Sequence, residues 1–307
     1  MNILILGGAG FIGSHVVETL LAAGHRVRVF EHPACNPVNL AGVADRIELH
    51  RGDFTRPEEL TPALAGIEVV VHLVGTVLPA SSNLDPGFDI ETNLKATVAL
   101  LEQALAAGVG KVVFASSGGT VYGVPESLPL NEKSPTDPLS SYGIVKLAIE
   151  KYLKLFHHLH GLDYTVLRIA NPYGERQNPA GAQGAVAVFL GRIRDGRPLE
   201  IWGDGEIARD YLYIGDLARA FLAACETSRP EKLFNIGSGR PCTLNRLIEL
   251  LREVTGLPVE VSYQPARPCD VPVNYLDCSL AARVLDWGPR VSFKTGLIRT
   301  WKWMLKR

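Results

Sequence analysis

The run Gly7-Gly8-Ala9-Gly10-Phe11-Ile12-Gly13 directly follows an apolar stretch at residues 3–6 and opens an amphipathic one at residues 12–23. A strand, glycine turn and helix in this order leave the backbone few choices. Gly7 makes the tight turn, Gly10 lets a pyrophosphate approach the main chain, and Gly13 lets helix pack closely on strand. The helix start would then aim unpaired N–H groups at phosphate oxygens. A glycine-rich turn without a ligand is the competing reading, and the strand-to-helix context argues against it. The motif therefore predicts a dinucleotide site lined by Gly7, Gly10, Phe11, Ile12 and Gly13.

A second apolar stretch, residues 26–30, ends in Glu31. A carboxylate at this point of a dinucleotide fold accepts both hydroxyls of the adenosine ribose and repels a 2′-phosphate. Glu31 thus predicts NAD rather than NADP, with the neighbouring His32 as the residue that softens the preference.

Composition fits an enzyme better than a scaffold. The 307 residues are 47% hydrophobic and 21% charged, enough for one large core or two modest ones. A net charge of −1 gives no electrostatic reason to expect nucleic acid or an anionic membrane as partner. The five cysteines, Cys35, Cys225, Cys242, Cys269 and Cys278, are scattered without metal-ligand spacing, so a reduced, cytoplasmic protein without a metal is expected. The chain start lacks a basic segment before its apolar residues, and no stretch reaches the roughly 18 apolar residues of a membrane span, so neither a secretion signal nor a membrane partner is expected.

Short apolar runs alternate with helical segments as far as residue 169. Residues 3–6, 26–30, 47–50, 69–73, 112–115 and 165–168 are candidate strands, nearly all apolar, as in a parallel sheet covered on both faces. The fold class expected is α/β, a doubly wound parallel sheet of Rossmann type with a smaller α/β substrate domain. After Asn171-Pro172-Tyr173-Gly174 the regularity fades and glycines and prolines cluster. Core-like patterning returns at residues 211–225 and 234–236, so the chain is expected to cross between domains more than once. The expected division is 1–174 with 208–238 for the dinucleotide domain, and 175–207 with 239–307 for the other.

The chemistry is expected in Ser116-Ser117-Gly118-Gly119-Thr120-Val121-Tyr122-Gly123 and in Tyr142-Gly143-Ile144-Val145-Lys146. Residues four apart share a helix face, so Tyr142 and Lys146 point into one site. A phenol with a pKa near 10 is a poor base at neutral pH, and an adjacent ammonium together with a positive nicotinamide ring favours its ionised form. Tyr142 can then remove a hydroxyl proton while hydride leaves the same carbon. Taken alone, the five-residue pattern is common and reads better as surface residues of an amphipathic helix.

Taken with the glycine triplet, whose spacing is three and three, and with Glu31, it resembles the extended short-chain dehydrogenase/reductase family over essentially the whole chain. The resemblance extends to Asp53-Phe54, to His72-Leu73-Val74-Gly75, to Asn93 and to Asn171-Pro172-Tyr173-Gly174. It continues in Trp202-Gly203-Asp204-Gly205 before Arg209-Asp210-Tyr211, and in Asn235-Ile236-Gly237-Ser238-Gly239 before Arg267-Pro268-Cys269-Asp270. It implies that Asp53 and Phe54 lie by the adenine, that Leu73, Val74, Gly75 and Asn93 lie along the cofactor, and that Lys146 holds the nicotinamide ribose. It also implies a nucleotide-diphosphate-sugar substrate, with Asn171 near the diphosphate, Trp202 at the base, and Asp270 in the same block. Arg209 and Arg267 are forks suited to diphosphate oxygens, a reading that the chemistry of arginine supports independently.

Within that family the turn before Tyr122 separates reactions. Dehydratases place Thr-Asp-Glu there and decarboxylases keep a glutamate, whereas this chain has Gly118, Gly119 and Thr120. The resemblance therefore implies a C4 epimerase acting through a 4-keto sugar, on UDP-glucose and UDP-galactose or their N-acetyl analogues. The hydroxyl that such epimerases carry at the position of Gly118 is missing, and Thr120 or Ser117 is expected to replace it. Asn274 stands where a bulkier residue narrows the sugar pocket in some members. A 4-keto reductase, a uronate epimerase, a decarboxylase or dehydratase, and a catalytically silent regulator stay open as alternatives. Helical segments 94–107 and 142–156 are apolar over more than one face, which with the resemblance implies a homodimer.

Overall fold

Strand after strand in the first half of the chain carries apolar side chains on both pleat faces, and both faces are covered. The computed structural model describes residues 1–181, 183–266 and 271–306. The strands are β1 (Asn2–Leu6), β2 (Arg26–Glu31), β3 (Ile47–Arg51), β4 (Val69–His72), β5 (Lys111–Ser117), β6 (Asp163–Ile169), β7 (Asn171–Tyr173), β8 (Leu199–Trp202), β9 (Ala208–Tyr213), β10 (Leu233–Ile236), β11 (Pro241–Thr243), β12 (Val261–Gln264) and β13 (Val273–Asn274). Seven of them form one parallel sheet in the order β10-β6-β5-β4-β1-β2-β3. The six runs expected to be strands are all in it, with Leu73 falling just past the end of β4.

The period of two sorts the core into layers. Ile3, Ile5, Val27, Val29, Val69, Val71, Val113 and Leu167 pack with helices Phe11–Ala22 and Ile214–Glu226. Leu4, Leu6, Phe30, Val70, Val112, Phe114 and Val166 pack on the other side with helices Pro57–Leu64, Ala96–Ala106 and Ser141–His160. Strand order reverses between β1 and β4, and ligands of doubly wound sheets bind at the carboxyl ends of the strands flanking such a switch.

Past β6 the chain leaves this sheet. β7 pairs with β9, and β9 also pairs with β11 and β13, in a smaller mixed sheet; β8 pairs with β12. Helix Ile214–Glu226 then carries the chain back to the large sheet, where β10 runs parallel to β6. The segment 208–238 contributes to both sheets. Its first strand stays with the small sheet because the short β7 and β13 take their backbone partners from it, and its helix and last strand join the large sheet. No helix among the described residues is long and apolar enough to cross a membrane.

Candidate active site

The glycine turn is shaped by what it leaves no room for. Gly7 has φ +82°, a conformation costly for any residue with a Cβ, and a Cβ on Gly13 would lie 2.2 Å from the Gly7 carbonyl oxygen. Helix Phe11–Ala22 starts at Gly10 with no side-chain cap and no acid in its first turn, so its leading N–H groups suit a diphosphate. The Ala9 N–H donates to Glu31 Oε1 at 2.6 Å, which pins the carboxylate at the end of β2 against the glycine turn. A Cβ on Gly7 would be 3.5 Å from the Val74 nitrogen, so Leu73 and Val74 border the same turn.

Further along the carboxyl edge, Phe54 packs on the His72 ring, and Asp53 accepts hydrogen bonds from Thr55 that hold its carboxyl below the usual range. Asn93 Oδ1 accepts the Thr76 N–H at 3.0 Å, tying down the loop beyond Gly75. The residues present fit a dinucleotide along its length. Among the described residues no cluster of histidine, cysteine and acid suits a metal ion.

Tyr142 and Lys146 occupy the first turns of helix Ser141–His160, with Lys146 Nζ 5.6 Å from the Tyr142 ring centre and 4.7 Å from that of Phe114. Lys146 is 7% exposed, and its Nζ donates to the Ala115 carbonyl at 2.9 Å. Burial brings it down to about 8, with Asp89 and then Glu150 opposing that fall. Burial pushes the Tyr142 phenol up to about 12, and the Asp89 carboxylate acts in the same direction. The expected lowering of the phenol by its lysine does not appear in the protein alone. The physical reason is desolvation, so the cation that favours the ionised phenol has to arrive with the ligand. His72, between Phe54 and Phe114, is held neutral by burial and then by Lys146, near a pKa of about 3.

Ser117 ends β5, and the chain turns tightly after it, with the Val121 N–H returning to the Ser117 carbonyl at 3.2 Å. A Cβ on Gly143 would sit 3.3 Å from that of Thr120, so Thr120 packs against the turn that carries Tyr142. The buried Thr120 Oγ1 finds no hydrogen-bond partner among the described residues. Asn274, 1% exposed, donates from Nδ2 to the Gly118 carbonyl at 3.3 Å, while its buried Oδ1 is likewise without a partner.

Gly118 has a packing reason to be glycine. A Cβ there would lie 2.6 Å from Leu276 Cδ1 and 3.2 Å from the Arg168 carbonyl oxygen. Leu276, wholly buried, fills the space that a side chain at 118 would need. Gly118→Ser is expected to lower unfolding stability by about 1–3 kcal/mol, as overpacked cores do. With Leu276→Ala in the same chain the two losses should be less than additive in chemical denaturation, whereas additive losses would show that Leu276 is not the obstruction.

With this geometry in place, the comparisons with known proteins become specific. The profile of the NAD dependent epimerase/dehydratase family matches residues 3–237. The chain belongs to that family. It is 37% identical over 305 residues to the UDP-glucose 4-epimerase of Mycolicibacterium smegmatis, covering 98% of this chain and 97% of that one. The crystal structure of a UDP-glucose 4-epimerase from Thermotoga maritima with UDP-glucose superposes with a TM-score of 0.94 at 40% identity, covering 100% of this chain and 99% of the other. That of the Thermus thermophilus UDP-glucose 4-epimerase in complex with NAD superposes with a TM-score of 0.91 at 36% identity, covering 99% of both.

The expected substrate residues Asn171 and Arg209 lie on the small mixed sheet, and Trp202 on the β8–β12 pair. Asn171 on β7 is held through Nδ2 to the Asp210 carbonyl at 3.2 Å, Arg209 on β9 sits between its strand partners Cys242 and Asn274, and Trp202, 38% exposed, ends β8. Arg267 and Asp270 lie outside the described residues. Sequence reasoning missed three groups on or beside the helix that carries Tyr142 and Lys146. Ser82 Oγ accepts the Tyr142 N–H at 3.1 Å, Asp89 Oδ2 accepts the Ser141 hydroxyl at 2.8 Å, and Glu150 pairs with Arg168. Lys146 and Glu150 are four residues apart, so helical spacing was a usable signal for Glu150. None existed for Asp89, which reads as a solvated acid in Asp85-Pro86-Gly87-Phe88-Asp89.

Proposed function

We propose that this chain is an NAD-dependent C4 epimerase of UDP-sugars, converting UDP-glucose and UDP-galactose, or their N-acetyl analogues, through a 4-keto sugar. The observation that carries the reading is the turn at residues 117–120. It packs against the helix of Tyr142, offers hydroxyls and contains no carboxylate, so nothing in it promotes loss of water or carbon dioxide. The relatives named UDP-glucose 4-epimerase support the same reaction.

The chemistry NAD supplies when bound is acceptance of hydride from C4 and its return to the other face of the sugar. Gly7, Gly10, Phe11, Ile12 and Gly13 would hold its diphosphate, Glu31 the adenosine ribose, and Asp53 and Phe54 the adenine. Leu73, Val74, Gly75, Asn93 and Lys146 would line its nicotinamide half. Tyr142 takes the proton of the sugar O4 as hydride departs and gives it back on return. Thr120 supplies the hydroxyl that relays it, which accounts for a buried Oγ1 without a partner among the described residues. Asn274 Oδ1 is a second acceptor for a sugar hydroxyl. Arg209, with Arg267, binds the diphosphate, Trp202 faces the base, and Asn171 and Asp270 complete the pocket.

Purified enzyme incubated with UDP-hexoses, UDP-N-acetylhexosamines and UDP-glucuronate is expected to give an isomer of unchanged mass from the UDP-hexoses or their N-acetyl analogues. A product lighter by water or carbon dioxide defeats the proposal. With the accepted sugar, Thr120→Val should lose on the order of 10²-fold in kcat. Full turnover in Thr120→Val beside a slow Ser117→Ala assigns the hydroxyl to Ser117.

The active form is a homodimer in the cytoplasm. Ile144, Tyr152, Leu155 and Leu159 are exposed by 37–59% and fall on one face of helix Ser141–His160, an apolar stripe suited to a second copy across a two-fold axis. Light scattering at micromolar concentration should give twice the mass of the chain, and a monomeric mass would refute the dimer. The described cysteines are unpaired, in keeping with a reducing compartment.

A further inference from the structure

We propose that Asp89 is a positioning residue for the reaction, its carboxylate tying the loop after β4 to the first turn of the Tyr142 helix and setting a negative charge beside Tyr142 and Lys146. Asp89 is 0% exposed. Its Oδ1 accepts from Asn93 Nδ2 at 2.9 Å, and its Oδ2 accepts from the Ser141 hydroxyl at 2.8 Å. Asn93 in turn donates to Thr76 Oγ1 at 2.7 Å and accepts the Thr76 N–H at 3.0 Å. A continuous chain thus runs from Thr76 through Asn93 and Asp89 to Ser141, the residue before Tyr142.

The same segment caps the catalytic helix, since Asn83 Oδ1 accepts the Ser141 N–H at 2.8 Å and Ser82 Oγ accepts that of Tyr142. Asp89 is followed directly by a π-helical turn at Ile90–Lys95, a widened geometry common at functional sites, which carries Asn93. A carboxylate at a helix N-terminus is favourable in itself, yet an acid left at the surface would provide that without burial.

The charge acts on two groups at once. Tyr142 faces Asp89 from the 86–95 segment, and Lys146 faces Asp89, Glu150 on its own helix and the neutral His72 on β4. A negative charge favours the protonated form of each neighbour, so Asp89 keeps Lys146 an ammonium in spite of burial and makes the Tyr142 phenol harder to ionise. Removing it moves both ionisations toward lower pH. A residue that only held the fold together would lower the rate without moving either.

The proposal rests on Tyr142 and Lys146 being the proton-transfer pair, which loss of turnover in Tyr142→Phe tests separately. The experiment is the pH profile of kcat for the NAD-loaded enzyme with UDP-glucose, in wild type, Asp89→Asn and Ser141→Ala. In Asp89→Asn both limbs are expected to move to lower pH by about half a unit or more, with a lower maximum. In Ser141→Ala, which leaves the carboxylate in place, kcat should fall severalfold at unchanged KM with both limbs where they were. Unmoved limbs in Asp89→Asn overturn the proposal. Should that variant not fold, wild-type kcat in Ser141→Ala overturns it instead.

Discussion

Tyr142→Phe is expected to lower kcat on the order of 10²–10⁴-fold, the range that a positioned proton-transfer group contributes, while NAD affinity and KM for the nucleotide sugar stay within a few-fold. The substitution removes only the phenolic oxygen. The ring stays against Lys146, whose Nζ lies 5.6 Å from its centre, and the backbone N–H that donates to Ser82 is untouched. Steady-state kinetics with an equilibrium NAD titration checks this. A loss of less than tenfold in kcat would remove Tyr142 from the chemistry, and a matching loss of NAD binding would make it a cofactor contact instead.

Arg168→Met is expected to cost about 3–5 kcal/mol in unfolding free energy, the penalty for stranding one member of a buried ion pair. Arg168 and Glu150 are 3% and 5% exposed and meet through Nε to Oε1 at 3.0 Å and Nη2 to Oε2 at 2.7 Å. The guanidinium also lies 4.8 Å from the ring centre of Tyr122. Without it, Glu150 keeps the Ser116 hydroxyl, at 2.5 Å, as its hydrogen-bond donor among the described residues, while its own carboxylate stays buried. Adding Glu150→Gln removes the stranded charge and should return about half of the loss. Denaturant unfolding measures both, and a cost below about 1 kcal/mol for Arg168→Met would show that the pair is solvated in practice.

The sheet was legible because a parallel strand buried on both faces leaves a continuous apolar run, as β1 does over residues 3–6, β4 over 69–71 and β5 over 112–115, while the edge strand β3 is mostly exposed. Gly7 and Gly13 were legible because their neighbours demand a missing Cβ, and Tyr142 with Lys146 because helical spacing is a local signal. Contacts made across long stretches of chain left no such trace. Leu276 reaches Gly118, and Asp89 reaches Ser141, with no periodicity at either end to announce it. Likewise β7 and β13 are too short for a pattern, and their pairing with β9 is fixed by backbone groups needing partners rather than by side chains.

The central claim is that one sugar carbon gives up hydrogen and takes it back on its other face, with Tyr142 moving the proton. The most direct test supplies UDP-glucose deuterated at C4 to the NAD-loaded enzyme and resolves the products by chromatography with mass detection. The account predicts UDP-galactose that retains the deuterium, with no net NADH. Deuterium lost to solvent, NADH accumulating in step with product, or a product lighter by water or carbon dioxide would contradict it.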